Sequence, residues 1–338
     1  MKRYKKIIFC IILSYLIQVL VLLYFDKVLF KESTKFTISS VNDTVQNVDV
    51  NVKLPTDAEK IQLSYNGRYI IYFKDNKLML VNTKTSETKQ ILNNTKILNI
   101  KWVPNNNTLF IVENLSNKVN TKTYNAINGV EQDVCDLCAY KKGMVADSFL
   151  STSAEYISVA NGDNTTIYRV DIDKEMKKLD RTVAKLGSAK VFWLNDVFFY
   201  EDAANKKFYR FTNGSSKSIP FKNPDKLTIL KAAGNSIYMG ECAEKNDSTK
   251  ISKILYEEDK SNAASWKTVN LEKTTNIDDI YINENNEIFI NDSSEKKVKN
   301  LTTGKSISYK GKFVSMNDRL IFSLDNDKVC LNNIKDTK

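Results

Sequence analysis

The sequence predicts an all-β chain that folds as a β-propeller, preceded by one N-terminal transmembrane helix. Two observations predict this arrangement. A strand–turn–strand segment recurs seven times, and residues 7–25 form an apolar run without a charged side chain. We expect a basic cytoplasmic tail at 1–6, a transmembrane helix at 7–25, a polar stalk at 26–47 and the propeller at 48–338.

The apolar run at residues 7–25 is long enough to cross a membrane as a helix. At a rise of about 1.5 Å per residue it reaches about 28 Å, close to the roughly 30 Å of a bilayer core. Lys2, Arg3, Lys5 and Lys6 precede it, so the positive-inside rule predicts a cytoplasmic N-terminus and a propeller outside the cell membrane. A cleaved signal peptide is the alternative, but its apolar stretch is shorter and small residues follow it. We therefore favour an uncleaved signal-anchor.

The repeated segment consists of an apolar strand end, a turn rich in Asn, Asp and Ser, and a second apolar strand. The seven copies are LSYNGRYIIY (63–72), WVPNNNTLFI (102–111), LSTSAEYISV (150–159), WLNDVFFY (193–200), LKAAGNSIYM (230–239), YINENNEIFI (281–290) and VSMNDRLIF (314–322). They begin about 42 residues apart, and four-stranded propeller blades repeat at about 40–45 residues. The spacing predicts seven blades, with six or eight as alternatives.

Each copy is typical of a β-hairpin, because β-branched and aromatic residues flank residues that tolerate positive φ. In the first unit, KLMLVNT (77–83) and TSETKQIL (85–92) complete four strands. One small sheet cannot bury both of its faces, whereas sheets stacked in a ring bury them against each other. The last unit lacks strands, and the alternating segment VDVNVKL (48–54) is the expected donor of its missing edge.

The first two units resemble the repeat of TolB-like and dipeptidyl-peptidase IV-type propellers, which reads Trp/Phe-Ser-Pro-Asp-Gly before a short apolar strand. Ser64, Asn66 and Gly67 match the turn of that repeat, with Tyr65 in place of its Pro. In the second unit the matching residues are Trp102, Pro104 and Asn105, and the Gly of the repeat is missing. The resemblance implies a propeller architecture. Its motifs are structural, so no functional residue is carried over from them.

Charge and composition argue against several functions. Of the net charge of +10, residues 1–35 supply +5. In the remaining sequence the basic residues are interspersed with acidic ones and form no basic stripe, so we expect no nucleic-acid partner. The chain has no histidine and no G-x-S-x-G motif, which argues against a Ser-His-Asp hydrolase and an imidazole zinc site. Abundant Lys, Asn and Ile indicate an AT-rich coding sequence of bacterial type.

Cys135 and Cys138 form a C-x-x-C motif in a segment that reads as a polar connection between the second and third units. A small loop disulfide or an incidental pair is the preferred interpretation outside the membrane. A redox site and a metal site are the alternatives, and a zinc site needs two more ligands. The acidic groups Asp278-Asp279 and Asp325-Asn326-Asp327 read as turns, because they match no EF-hand loop.

Trp102 and Trp193 begin two copies of the repeat at what look like equivalent strand ends. Packing between blades is the preferred interpretation, and stacking on a ligand at the propeller face is the alternative. We expect no cofactor, no metal and no enzyme activity. The leading hypothesis is a membrane-anchored, non-catalytic binding or scaffolding module for a protein, peptide or glycan. The alternatives are a propeller glycosidase or polysaccharide lyase using Asp/Glu, and an accessory subunit of a cell-envelope assembly.

Overall fold

The computed structural model describes residues 14–15, 18–19, 50–92, 96–245, 247–258 and 266–334. The chain divides into two compact units, Met1–Val45 and Gln46–Lys338. In the first unit the four described residues are helical, and the rest of the predicted transmembrane helix and stalk lies outside the described residues. Among the described residues, we find no helix with the length and apolar character needed to span a bilayer.

The second unit is built from seven antiparallel sheets, which we call blades 1 to 7 in chain order. The strands of blade 1 are β1 (Glu59–Leu63), β2 (Tyr69–Lys74), β3 (Lys77–Asn82) and β4 (Thr88–Ile91). Those of blade 2 are β5 (Lys96–Trp102), β6 (Thr108–Leu115), β7 (Lys118–Asn125) and β8 (Glu131–Ala139). Those of blade 3 are β9 (Val145–Leu150), β10 (Ala154–Asn161), β11 (Asn164–Asp171) and β12 (Met176–Lys178).

Blades 4 to 6 also have four strands each. Blade 4 contains β13 (Leu186–Val191), β14 (Phe198–Asp202), β15 (Lys207–Thr212) and β16 (Ser215–Ile219). Blade 5 contains β17 (Leu227–Ala233), β18 (Ser236–Glu244), β19 (Asp247–Glu258) and β20 (Lys267–Asn276). Blade 6 contains β21 (Ile280–Ile282), β22 (Ile288–Asp292), β23 (Lys297–Asn300) and β24 (Ser306–Ser308). Blade 7 contains β25 (Lys312–Met316), β26 (Leu320–Asp325) and β27 (Lys328–Asn333).

The strands of every blade pair in chain order, and the first strand of each blade is the innermost. First strands contact first strands from blade 1 through blade 5 and again between blades 7 and 1. Each of the seven repeated sequence segments forms the turn between the first and second strands of one blade. The predicted seven-bladed, all-β propeller is therefore confirmed.

Blade 7 has three strands, and a segment from the other end of the propeller sequence, residues 52–54, pairs with the edge of β27. Lys53 pairs with Lys328 as an antiparallel bridge. The amide of Leu54 donates to the carbonyl of Asp327 at 3.0 Å, and the amide of Val329 donates to the carbonyl of Val52 at 2.9 Å. This pairing covers the edge of β27 and closes the ring, as the alternation in residues 48–54 predicted.

The core lies between the blades because the second strands, such as β2, β6 and β14, bury both of their faces, whereas outer strands such as β4 and β12 stay largely exposed. In β6, Leu109 and Ile111 pack against blade 1, whereas Phe110 and Val112 pack against blade 3. Consecutive side chains of a strand point to opposite sides of the sheet, so a continuous apolar run is what a strand with two buried faces requires. The turns between strands carry few buried apolar side chains, which leaves them available for other roles.

Candidate functional site

The seven turns between first and second strands converge at one end of the propeller axis. There they surround a cavity of about 230 Å3, to which every blade contributes. We call this cavity the axial mouth. Its lining residues are Tyr65, Pro104, Asn105, Leu150, Val191, Trp193, Lys231, Tyr281, Glu284, Asn317, Asp318 and Arg319.

The backbone of the turns explains their sequences. Gly67, Asn105, Gly234 and Asn286 have φ between +53° and +74°, in the left-handed region where Gly and Asn are tolerated. The Asn-rich turns of this glycine-poor chain therefore serve the same purpose as Asn-Gly and Asp-Gly turns elsewhere.

Blades 7 and 1 meet at the mouth through polar and aromatic contacts. The Arg319 guanidinium lies over the Tyr65 ring, 5.3 Å from its centroid. The Asn317 side chain donates to the Tyr65 carbonyl at 3.3 Å. An arginine held over an aromatic face keeps its outward donors available, so this pair offers a ligand both an apolar surface and hydrogen bonds.

The two carboxylates of the mouth have partners from neighbouring blades. Tyr281 donates to Asp318 at 2.6 Å, and burial together with this carboxylate raises the pKa of the Tyr281 hydroxyl well above its usual value. Lys231 lies 3.1 Å from Glu284, which also accepts from the amide of Gly234 at 3.2 Å. Carboxylates held in this way fix the shape and charge of the surface, which is the arrangement that recognition requires.

Trp102 and Trp193 have different environments and are not in equivalent positions. Trp102 ends β5 opposite Leu109, stacks on Tyr69 with ring centroids 6.5 Å apart and packs between blades 1 and 2. Trp193 lies beyond the end of β13, in the turn, and lines the axial mouth. The sequence suggested that the two tryptophans occupy equivalent strand ends. Because β13 ends at Val191, Trp193 instead lies two residues beyond the position that corresponds to Trp102.

Cys135 and Cys138 lie in β8, not in a connection between blades, which corrects the sequence interpretation. Both are free thiols, and a bulge in the pairing with β7 places Cys135 opposite Thr121 and Cys138 opposite Val119. Both thiols pack against the core between blades 2 and 3. Burial is the main reason why the pKa of Cys135 is raised, and a raised pKa makes a thiol less reactive.

Of the acidic groups singled out in the sequence, Asp278 and Asp279 lie in a short 3-10 helix (Ile277–Asp279), and Asp325 ends β26 just before the turn at Asn326 and Asp327. Asn326 and Asp327 adopt positive φ between β26 and β27, and Asp279 accepts from the Asn291 side chain at 2.6 Å. Among the residues that the structure describes, no group of three Cys, Asp or Glu side chains is arranged to hold a metal ion.

Sequence reasoning missed Tyr65, Tyr281, Asp318 and Arg319 as members of the mouth. The signal that identifies them is their place in the repeat, because each lies in or beside the turn of one copy. Once the copies are known to be first hairpins of blades, their turns must meet around the axis.

Comparison with known proteins supports the fold. No protein-family model matches the sequence, and no well-characterised protein resembles it closely enough in sequence to indicate a relationship. Among solved structures, Hsv2 from Kluyveromyces lactis is similar with a TM-score of 0.50 at 11% identity over 82% of this chain and 98% of that one. A chain of the mitotic checkpoint complex has a TM-score of 0.52 at 8% identity, covering 85% of this chain and 92% of that one. The WD40 domain of SCAP from fission yeast gives 0.46 at 14% identity, covering 83% and 84%. The two structures with TM-scores of 0.50 and 0.52, together with the seven sheets of the chain itself, show a seven-bladed β-propeller fold.

Proposed function

We propose that this chain is a non-catalytic binding or scaffolding module that holds a protein, peptide or glycan ligand at the axial mouth. The observation that carries the proposal is that every blade contributes residues in or beside its first turn to a single cavity. The blades are held together by the core between them, so side chains in these turns are free to vary with the ligand. Binding sites are commonly placed on loops that a rigid scaffold positions in this way.

The chemistry of the mouth suits recognition by several weak contacts. Trp193 and Tyr65 supply aromatic surface, and Arg319 supplies a cation that is always charged. Aromatic residues and arginine are enriched at the centre of binding interfaces, where they account for most of the affinity. Lys231 and Glu284 complement each other across blades 5 and 6 and offer a polar edge to the same ligand.

The tether is the second part of the proposal. The uncharged run at residues 7–25 would anchor the propeller outside the cell membrane and raise the local concentration of ligand and propeller at the surface. The test is extraction of the full chain from membranes with alkaline carbonate, followed by protease treatment of intact cells. A chain that stays in the membrane pellet and is cleaved from outside supports the tether, whereas release into the carbonate supernatant overturns it.

The binding proposal is tested with the double variant Trp193→Ala/Arg319→Ala. We expect it to lose the ligands that wild-type protein captures from cell-envelope extract, and to bind an identified ligand at least about tenfold more weakly in direct titration. The matched control is Ile172→Ala/Lys217→Ala, which removes an exposed apolar and an exposed cationic side chain away from the mouth. Equal binding by both double variants would show that the axial mouth is not the binding site.

The same proteins test the enzymatic alternatives. A glycosidase or lyase working at the mouth would use Glu284 or Asp318, since these are the carboxylates that line it. Turnover of a glycan panel by wild-type protein, abolished by Glu284→Gln or Asp318→Asn, would overturn the non-catalytic proposal. Stable co-purification with other envelope proteins would favour an accessory subunit of an assembly. We also retain, from the turns of the first two units, the proposal that the propeller is related to the TolB-like family.

A further inference from the structure

The lining of the axial mouth differs between its two sides. Blades 2, 3 and 4 follow one another around the ring, and they contribute Pro104, Asn105, Leu150, Val191 and Trp193, of which only Asn105 is polar. All four charged residues of the lining come from blades 5, 6 and 7: Lys231, Glu284, Asp318 and Arg319. We call the first side the apolar wall and the second the charged wall. A ligand in the mouth meets both.

The apolar wall extends beyond the cavity. Leu150 is buried, Trp193 is half-buried in the turn after β13, and the next residue of that turn, Leu194, is 71% exposed. A large apolar side chain that stays in water beside an apolar wall enlarges the surface that a ligand covers on binding. This side of the mouth therefore suits an apolar group.

The carboxylates of the charged wall already have donors within the protein. Glu284 lies 3.1 Å from the Lys231 ammonium and accepts from the amide of Gly234 at 3.2 Å. Asp318 accepts from the Tyr281 hydroxyl at 2.6 Å. Lys231 is in turn paired by Glu284, so three of the four charged residues are engaged with the protein itself.

Arg319 is the charged residue of the wall that differs. Its side chain is exposed, its guanidinium lies 5.3 Å from the centroid of the Tyr65 ring, and within the described part of the chain no carboxylate is at ion-pair distance from it. The Asn317 side-chain oxygen accepts from the Arg319 amide at 2.9 Å, which fixes the backbone of the turn. A stacked guanidinium on a fixed turn loses little freedom when it pairs, and a carboxylate matches its planar fork of donors.

The two walls together favour a peptide over a glycan. A sugar can stack on Trp193, but it carries hydroxyl groups around its edges, and the side chains of Leu150 and Val191 offer those groups no hydrogen bond. An extended peptide presents side chains of different chemistry to opposite sides. The mouth, at about 230 Å3, is smaller than the roughly 300–1,000 Å3 of typical small-molecule pockets, so a ligand enters it with only a few groups.

We propose that the axial mouth binds a peptide segment of a partner protein that places an apolar side chain against Trp193 and the carboxylate of an Asp or Glu side chain on Arg319. This inference rests on the proposed function, because it names the chemistry of the ligand held at that same mouth. The apolar side chain supplies buried area, and the carboxylate supplies orientation and selectivity.

The first test uses an array of synthetic peptides in which one Leu and one Glu stand at increasing separation in a Gly-Ser background, probed with the full chain. We expect one separation to bind best. In direct titration, replacing the Glu of that peptide with Gln should weaken binding about tenfold, because a charge-assisted hydrogen bond is lost.

Variants of the protein assign the two contacts. Arg319→Gln should bind the Glu and Gln peptides equally, and Arg319→Glu should prefer a peptide with Lys in place of Glu. Trp193→Ala should weaken binding of both the Glu and the Gln peptide by a similar factor, while keeping the preference for Glu. The matched control is Arg181→Gln, since Arg181 is also exposed and stacked, 5.2 Å from the centroid of the Tyr209 ring, but lies outside the lining of the mouth. It should keep the wild-type preference.

Three outcomes overturn the inference. One is that no peptide of the array binds, and another is that wild-type protein binds the Glu and Gln peptides equally. The third is that Arg319→Gln, shown by circular dichroism to be folded, keeps the preference for Glu.

Capture from cell-envelope extract separates these failures from failure of the proposed function. If a ligand that depends on Trp193 and Arg319 survives protease treatment of the extract and is destroyed by periodate, the mouth binds a glycan. The peptide inference is then wrong, although the binding function stands. If no captured ligand depends on these two residues, both are wrong.

Discussion

Two interfaces of the same propeller are built in different ways. Between blades 3 and 4 the core is aromatic: Tyr156 and Phe198 stack with centroids 4.5 Å apart, and Phe198 also stacks on Tyr200 at 5.6 Å. Above them, Asp196 accepts hydrogen bonds from the Tyr156 hydroxyl and from the Arg169 guanidinium, at 2.7 Å from Nη2. All of these side chains come from two blades that follow each other directly in the sequence.

Between blades 7 and 1 the interface joins distant parts of the chain. At this interface Gly67 approaches Leu320 so closely that a Cβ atom there would lie 2.7 Å from the leucine side chain. Blade 7 itself depends on residues 52–54, whose backbone pairs with β27. The comparison teaches that blades 3 and 4 are joined mainly by stacked side chains of neighbouring sequence, whereas the blade that closes the ring is completed by backbone pairing with residues from the far end of the propeller sequence.

The largest expected effect comes from the closing strand. Leu54→Pro removes the amide that bonds to Asp327 and a side chain that is only 4% exposed, so we expect the free energy of unfolding to fall by about 4–6 kcal/mol. Urea denaturation measures this change. Lys53→Ala, in the same segment with an exposed side chain, is the control and should cost little. A wild-type midpoint for Leu54→Pro would mean that the ring is stable without the backbone pairing of residues 52–54 to β27.

Phe198→Ala breaks the aromatic interface and is expected to cost about 3–5 kcal/mol, because the fully buried ring leaves a cavity among its stacked neighbours. The measurement is again urea denaturation, with hydrogen exchange to locate the opening. We expect protection to be lost first in blades 3 and 4, whereas Leu54→Pro should expose blade 7 first. The same exchange pattern in both variants would mean that the two interfaces open as one unit.

Asp196→Ala tests the polar part of the same interface. It leaves Arg169 and Tyr156 without their shared acceptor, and hydrogen bonds to charged groups are worth about 1.5–3 kcal/mol. A thermal or urea midpoint shift of that size is expected. A double-mutant cycle with Tyr156→Phe should give a coupling energy above about 0.5 kcal/mol, and strict additivity would show that the hydroxyl contributes nothing through Asp196.

Gly67→Ala should have the smallest effect of the four, about 1–2 kcal/mol. The φ of +74° is unfavourable for alanine, and the added methyl group presses on Leu320 and Leu331. Gly214→Ala is the matched control, since its φ is +79° and its Cβ would meet no neighbour within 4 Å. The difference between the two variants, measured by urea denaturation, isolates the cost of close contact between blades 7 and 1.

The repeats allow most of the fold to be predicted from the sequence. Alternation and spacing located all seven first hairpins, and the period-two pattern of residues 48–54 identified the closing strand. The position of the cysteines was misread because charged and polar residues in EQDVCDLCA hide the strand β8, whose one face is exposed at the outer edge of blade 2. Strand propensity is weak evidence at a sheet edge. There only one face of the strand is buried, and the packing of that face decides the structure.

The sequence alone determined that this chain forms seven similar hairpins that cannot shield their own apolar faces, because the pattern of apolar residues is a local property. Only the tertiary structure decided which side chains meet. Trp193 reaches the axial mouth while Trp102 packs between blades, since a two-residue difference in where a strand ends separates a turn from a core position. Likewise, Lys101 finds a carboxylate in the next blade and Lys190 does not, because contacts across blades depend on residues about 45 positions away, which no local pattern records.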